Sequence, residues 1–201
     1  MTPVVSIVIS GLALAVSVAV AWLTLFRRGN LRMTQPVLIG FLYDLPDGEP
    51  KVFFRTLLYT TGKRGHVIEG MYLKVTNRES SQTFDFWAYG ETKALMIGSG
   101  LRVDEDGLSS NHHFLPPKER SSFQFLPGDY TIEVYARAVN RRHPVLLSRL
   151  RVSLPQEHAA ALRDKSNGVL FTWSPETRQY HPHVSQAPRS SLPMPFLIEN
   201  R

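Results

Sequence analysis

The N-terminal stretch constrains this chain more than any other. From Pro3 to Phe26 the sequence reads PVVSIVISGLALAVSVAVAWLTLF, with no charged side chain and only Ser6, Ser10, Ser17 and Thr24 as hydroxyl residues. A helix of that length, rising about 1.5 Å per residue, spans roughly 36 Å, more than the ~30 Å hydrocarbon core of a bilayer. A helix packed in a soluble core keeps one polar face, and this run has none. Trp22 stands near its C-terminal end, where an indole favours the membrane interface. The alternative is a cleaved signal peptide, for which Ala19-Val20-Ala21 would be the cleavage site. However, Met1-Thr2 supplies no basic head and the apolar run is too long. Residues 1–28 are therefore expected to form a transmembrane anchor.

Arg27, Arg28 and Arg32 follow at once, and no basic residue precedes the run. The positive-inside rule then places the N-terminus outside and the domain in the cytoplasm, at the inner membrane of a cell, with a periplasmic domain as the alternative. The same three arginines suit anionic lipid headgroups. Ser10, Gly11 and Ala15 are small enough to let a second helix approach, so association through the membrane helix is expected.

After a short juxtamembrane linker, residues 29–36, continuous apolar sequence gives way to short apolar runs between turn residues. The chain has 201 residues, 43% apolar and 20% charged, which suits one globular domain with a real core. It contains no cysteine, which excludes disulfides, thiol catalysis and thiolate metal sites. Strands are predicted at Val37 to Tyr43, Val52 to Tyr59, His66 to Val75, Thr83 to Tyr89, Leu101 to Val103, Ser121 to Leu126, Asp129 to Ala136, Val145 to Leu154, Val169 to Trp173 and Tyr180 to Val184. In the third of these Glu69 interrupts the apolar parity of Val67, Met71, Leu73 and Val75. One short helix is predicted over Pro155 to Asp164, with proline first and an acid in its first turn. Short strands at this spacing predict a mainly β fold, an antiparallel sandwich spanning 37–184, and residues 185–201 read as a Ser-, Pro- and Arg-containing flexible tail.

The stretch Leu126-Pro127-Gly128-Asp129-Tyr130-Thr131-Ile132-Glu133-Val134 resembles the entry to the F strand of immunoglobulin-like and fibronectin-like domains. That resemblance implies that Tyr130 is a corner tyrosine bonded back to the preceding turn. Tyr72 to Asn77 resembles the B strand of the same class. The whole chain is also similar to single-pass bacterial membrane proteins, a likeness that implies no activity.

Seven histidines are the first candidates for chemistry. His112 and His113 form a pair in a predicted loop, and His181 and His183 project to the same side of an extended chain. Neutral imidazoles suit a transition metal, so a site built from His112, His113, His181 and His183 is one reading. The bland alternative is surface or corner histidines bonded to backbone. Asp104-Glu105-Asp106-Gly107 has its glycine in the wrong place for a calcium loop and reads as a hairpin turn. Arg137, Arg141, Arg142, Arg149 and Arg151, with His143, gather around one hairpin, and net charge is +6, so a nucleic-acid or a lipid-phosphate surface is one reading, the latter making the chain, with Arg27, Arg28 and Arg32, a lipid-surface sensor; no nucleic-acid module matches, and alternation with apolar residues is what any solvated strand shows. Gly98-Ser99-Gly100 lacks nucleophile-elbow spacing, and no phosphate-binding glycine loop is present. Trp87 and Tyr89 share a parity, which would make a sticky patch if exposed.

Two functional classes follow. The first is a membrane-anchored sandwich module that recruits a protein partner, without catalysis or cofactor. The alternative is a metal-binding protein or metal-dependent enzyme built on the four histidines.

Overall fold

The computed structural model describes residues 3–23, 29–44, 48–78, 80–91, 94–98, 100–117, 123–139 and 141–186. Its first element is a helix, α1 (Pro3–Ala21), with none of its residues buried. At 19 residues it is long and apolar enough to cross a membrane. Arg27 and Arg28 lie outside the described residues.

The strands are, in chain order, β1 (Leu31–Met33), β2 (Leu38–Asp44), β3 (Glu49–Thr60), β4 (His66–Thr76), β5 (Ser81–Phe84), β6 (Phe86–Glu91), β7 (Ala94–Ile97), β8 (Leu101–Val103), β9 (Leu108–Leu115), β10 (Gly128–Ala138), β11 (Val145–Leu154), β12 (Asn167–Ser174) and β13 (Gln179–Gln186), with helix α2 (Gln156–Ala161) between β11 and β12. They make two antiparallel sheets. One runs β13-β12-β2-β3-β9-β6-β7 with β1 added on β3; the other runs β11-β10-β4-β5 with β8 added on β4.

The long strand β3 organises the larger sheet. Along one of its edges β2 pairs from Asp44↔Glu49 to Ile39↔Phe54, and β1 continues with Met33↔Leu58 to Leu31↔Thr60. The stretch 29–36, read above as a linker, thus contributes a strand whose Leu31 is buried in the core. At the other terminus β13 continues to Gln186, beyond the boundary placed at 184, because each of its residues has a partner on β12.

Alternation fills the space between the sheets. Ile39, Phe41, Val52, Phe54, Phe114, Val169 and Phe171 come from one sheet, and Leu73, Val75, Ile132, Val134 and Val152 from the other. Phe41 sits at the centre of an aromatic group, 4.5 Å from Phe125, 4.9 Å from Phe171 and 5.3 Å from Tyr130, centroid to centroid.

Several expectations need correction. Thr83 to Tyr89 is two strands: the chain changes sheets at Asp85, so Phe84 is buried in one sheet while Phe86 lies exposed on the other. The parity break at Glu69 is a β-bulge, since Arg137 pairs Gly70 and Ala138 pairs Ile68; Ile68 therefore points inward and Val67 outward. Asp104–Gly107 joins β8 to β9, which belong to different sheets, so it is a turn between layers and no hairpin. Residues Phe123–Leu126 pair with no strand, although Phe123 and Phe125 are buried. Tyr72–Thr76 also cannot be a B strand beside an F strand at β10. B and F occupy opposite sheets in immunoglobulin-like domains, whereas β4 pairs directly with β10.

Tyr130 donates its hydroxyl proton to the Leu126 carbonyl at 2.6 Å, tying the start of β10 to the segment before it. Replacing Tyr130 with Phe strands that carbonyl and should cost about 1–2 kcal/mol with the fold retained, measurable as a lower urea midpoint at unchanged slope.

Candidate functional site

The four histidines proposed as a metal centre are not brought together. His112 and His113 lie on β9, and His181 and His183 on β13, four strands away in the same sheet. At about 4.8 Å per strand that is roughly 19 Å. His181 is exposed and bonds Thr177 Oγ1 at 3.2 Å; His183 is exposed as well. Among the described residues no group of three or more His, Asp or Glu could hold a metal ion.

His112 and His113 instead belong to the packed structure. Because they are neighbours on a strand, they point to opposite faces. His112 is fully buried among the core aromatics, where Trp87 Nε1 donates to its Nδ1 at 3.1 Å. That bond places the imidazole proton on Nε2, which has no partner among the described residues. Burial pushes the His112 pKa down to about 4. His113 faces the other way and stacks on Phe53 at 5.6 Å, with neither ring nitrogen bonded. Burial, then the neighbouring Lys51 and His112 charges, hold its pKa at about 3. Lys51 is itself buried and donates to Asp44 at 3.2 Å. Trp87 is buried too, so the exposed Trp87–Tyr89 patch does not form.

The arginines also separate into two places. Arg137, Arg149 and Arg151 project from the outer face of the smaller sheet, where Arg149 donates to Glu133 at 2.7 Å. That bond, ahead of one from Tyr135, holds the Glu133 carboxyl below its usual range. Arg141, Arg142 and His143 lie in the exposed connection between β10 and β11. Arg32 is exposed on β1.

The concave site lies elsewhere, at the end of the sandwich where β2 finishes and β3 starts. A cleft of about 360 Å³ opens between α2 and the segment leading into β10. Tyr43, Phe125 and Leu126 give it an apolar side, and Gln156, Arg163 and Lys165 a polar one. Tyr43 is held by its place next to the last residue of β2; burial raises its pKa, against a bond from the Phe125 backbone. The Lys165 ammonium stands 5.7 Å from the centre of the Tyr43 ring. Both charged residues lining the cleft are basic, and Lys165 has no carboxylate partner among the described residues. A space of this size accommodates a side chain or short segment carrying a carboxylate beside an apolar group.

No family model matches the chain, and no curated protein does. Two solved structures are similar. One is the CooA pilin subunit from enterotoxigenic Escherichia coli, at 9% identity and TM-score 0.30, covering 61% of this chain and 97% of that one. The other is a family 123 glycoside hydrolase from Clostridium perfringens, at 7% identity and TM-score 0.32, covering 63% of this chain and 28% of that one.

The cleft residues escaped the sequence reading because Tyr43 and Lys165 are 122 positions apart (165 − 43) and meet only once β12 pairs with β2. The local signal was the pair Arg163 and Lys165 at the C-terminal end of the predicted helix, two cations flanking a chain turn.

Proposed function

We propose that this chain is a membrane-anchored binding module whose sandwich recruits a protein partner through the cleft beside α2. The observation that carries this reading is the position of the cleft. It opens at the end of β3 that starts with Glu49, whereas the chain arrives from α1 at the other end, beside Thr60 and Thr61. With twelve residues at about 3.3 Å each, β3 separates the two ends by roughly 40 Å. A site so placed faces away from the membrane and is open to a partner there. The immunoglobulin-like reading is supported by the Tyr130–Leu126 bond and by the β11-β10-β4 order. The arginines after α1 favour a cytoplasmic domain.

The test is to purify full-length protein from its own membrane in mild detergent and identify stoichiometric companions by mass spectrometry. The same is done with Lys165→Glu, which reverses the charge beside Tyr43 on an exposed side chain. A companion retained by the wild type and reduced roughly tenfold by Lys165→Glu is the expected result, a change of about 1.4 kcal/mol. Protein that comes alone, or a companion indifferent to the substitution, removes the cleft from this role.

A further inference from the structure

The chain enters the sandwich under tight control. Gly29 is buried, and its carbonyl accepts a hydrogen bond from His66 Nε2 at 2.8 Å. Asn30 N donates to Thr61 Oγ1 at 2.8 Å, Thr61 N donates to the Asn30 carbonyl at 3.1 Å, and Arg141 Nη2 donates to Asn30 Oδ1 at 3.2 Å. A Cβ on Gly29 would collide with the Gly62 backbone, so the fit at this point is close. The β3–β4 loop and the β10–β11 loop are therefore both fastened to the first two residues of the domain.

Only residues 24–28 separate Leu23 from Gly29. Six Cα-to-Cα steps of at most about 3.6 Å reach no further than roughly 22 Å. If α1 spans the bilayer, Gly29 and Asn30, with the two loops fastened to them, are kept within that distance of its membrane-surface end.

Their chemistry suits that place. Lys63 and Arg64 lie exposed in the first loop, Arg141 and Arg142 in the second, and Arg32 just past the point of entry. Val67 and Val139 on the same end are 41% and 52% exposed, apolar groups able to sit at headgroup depth. The acidic residues of this end are Glu69, Asp104, Glu105 and Asp106, and Asp104 is engaged by Arg102 at 3.0 Å. Basic residues thus outnumber acidic ones here, and the surplus lies in the two fastened loops.

We propose that this end of the sandwich seats on anionic phospholipid headgroups, with Lys63, Arg64 and Arg142 as the contacting cations. Arg141 serves as a positioning residue that holds the second loop to Asn30. The proposal rests on the membrane-anchored reading, and the experiment separates the two.

The chain has no cysteine, so Val139→Cys gives a single site for an environment-sensitive fluorophore. Full-length labelled protein is reconstituted into lipid nanodiscs of phosphatidylcholine alone, or with about one-third phosphatidylglycerol, each carrying a headgroup quencher. Co-elution with the discs reports the anchor, and quenching reports the seat. The expected result is roughly threefold stronger quenching in the anionic discs, lost at about 1 M salt and lost in the Lys63→Glu, Arg64→Glu, Arg142→Glu triple variant. Co-elution with equal quenching in both discs overturns the seat and leaves the anchor standing. Protein that fails to co-elute with any disc overturns both.

Discussion

Taking the protein from pH 7.5 to pH 5 should lower the stability of the sandwich by about 4 kcal/mol, from His112 and His113 together. In the folded state both imidazoles are held neutral, with pKa values pushed down to about 4 and about 3. In the unfolded chain they titrate near 6.5. The unfolded state therefore binds more protons between those values, and stability rises with pH across that window. It is present in full above about 6.5 and falls as the pH drops toward the folded values, by about 2 kcal/mol per histidine at pH 5. Urea unfolding of full-length protein in detergent at the two pH values measures it. His113→Leu, which places an alkyl group beside Phe53, Ala88 and Leu115, should remove about half of the slope. A midpoint that does not move between the two pH values would show that the imidazoles are not buried neutral.

Phe41→Ala should cost about 3–5 kcal/mol, the range for a fully buried aromatic truncated in a packed core. Phe41 is 0% exposed and touches the Phe125, Tyr130 and Phe171 rings at once, so no neighbour can fill the void without breaking a second contact. Against a typical domain stability of about 5–15 kcal/mol, this brings the sandwich close to unfolding at growth temperature. Phe86→Ala is the matched control. Phe86 is 40% exposed at the first residue of β6, and its loss should cost under about 1 kcal/mol. Equal thermal shifts in the two variants would contradict the placement of Phe41 at the core centre.

The layered β architecture was legible because strands such as Thr131–Ala136 alternate strictly, and period two dictates one buried face. Strand β9 was invisible for the opposite reason. Leu108-Ser109-Ser110-Asn111-His112-His113-Phe114-Leu115 is polar along most of its length and reads as a loop, yet it lies between β3 and β6 with partners on both edges. Propensity yields there to pairing on both sides. The sheet change at Asp85 was equally hidden, since Phe84 and Phe86 share a parity whichever sheet they join. The metal reading failed at the level of strand order: i and i+2 geometry describes His181 and His183 correctly, but nothing local reveals that three strands stand between them and His112. Glu69, by contrast, was a visible signal, a break in alternation that marked the bulge.

Strand β1 is three residues long and runs from the anchored end of β3 inward, pairing Leu31 with Thr60 and Met33 with Leu58. A pull transmitted from α1 along the strand direction would load β1 lengthwise. Its bonds to β3 would then be loaded side by side in shear, rather than opened one after another like a zip. A short strand in shear holds more force than the same strand peeled from its end, so β1, together with the bonds at Gly29 and Asn30 just before it, would resist such a pull as one patch and share it with β3 and the two loops.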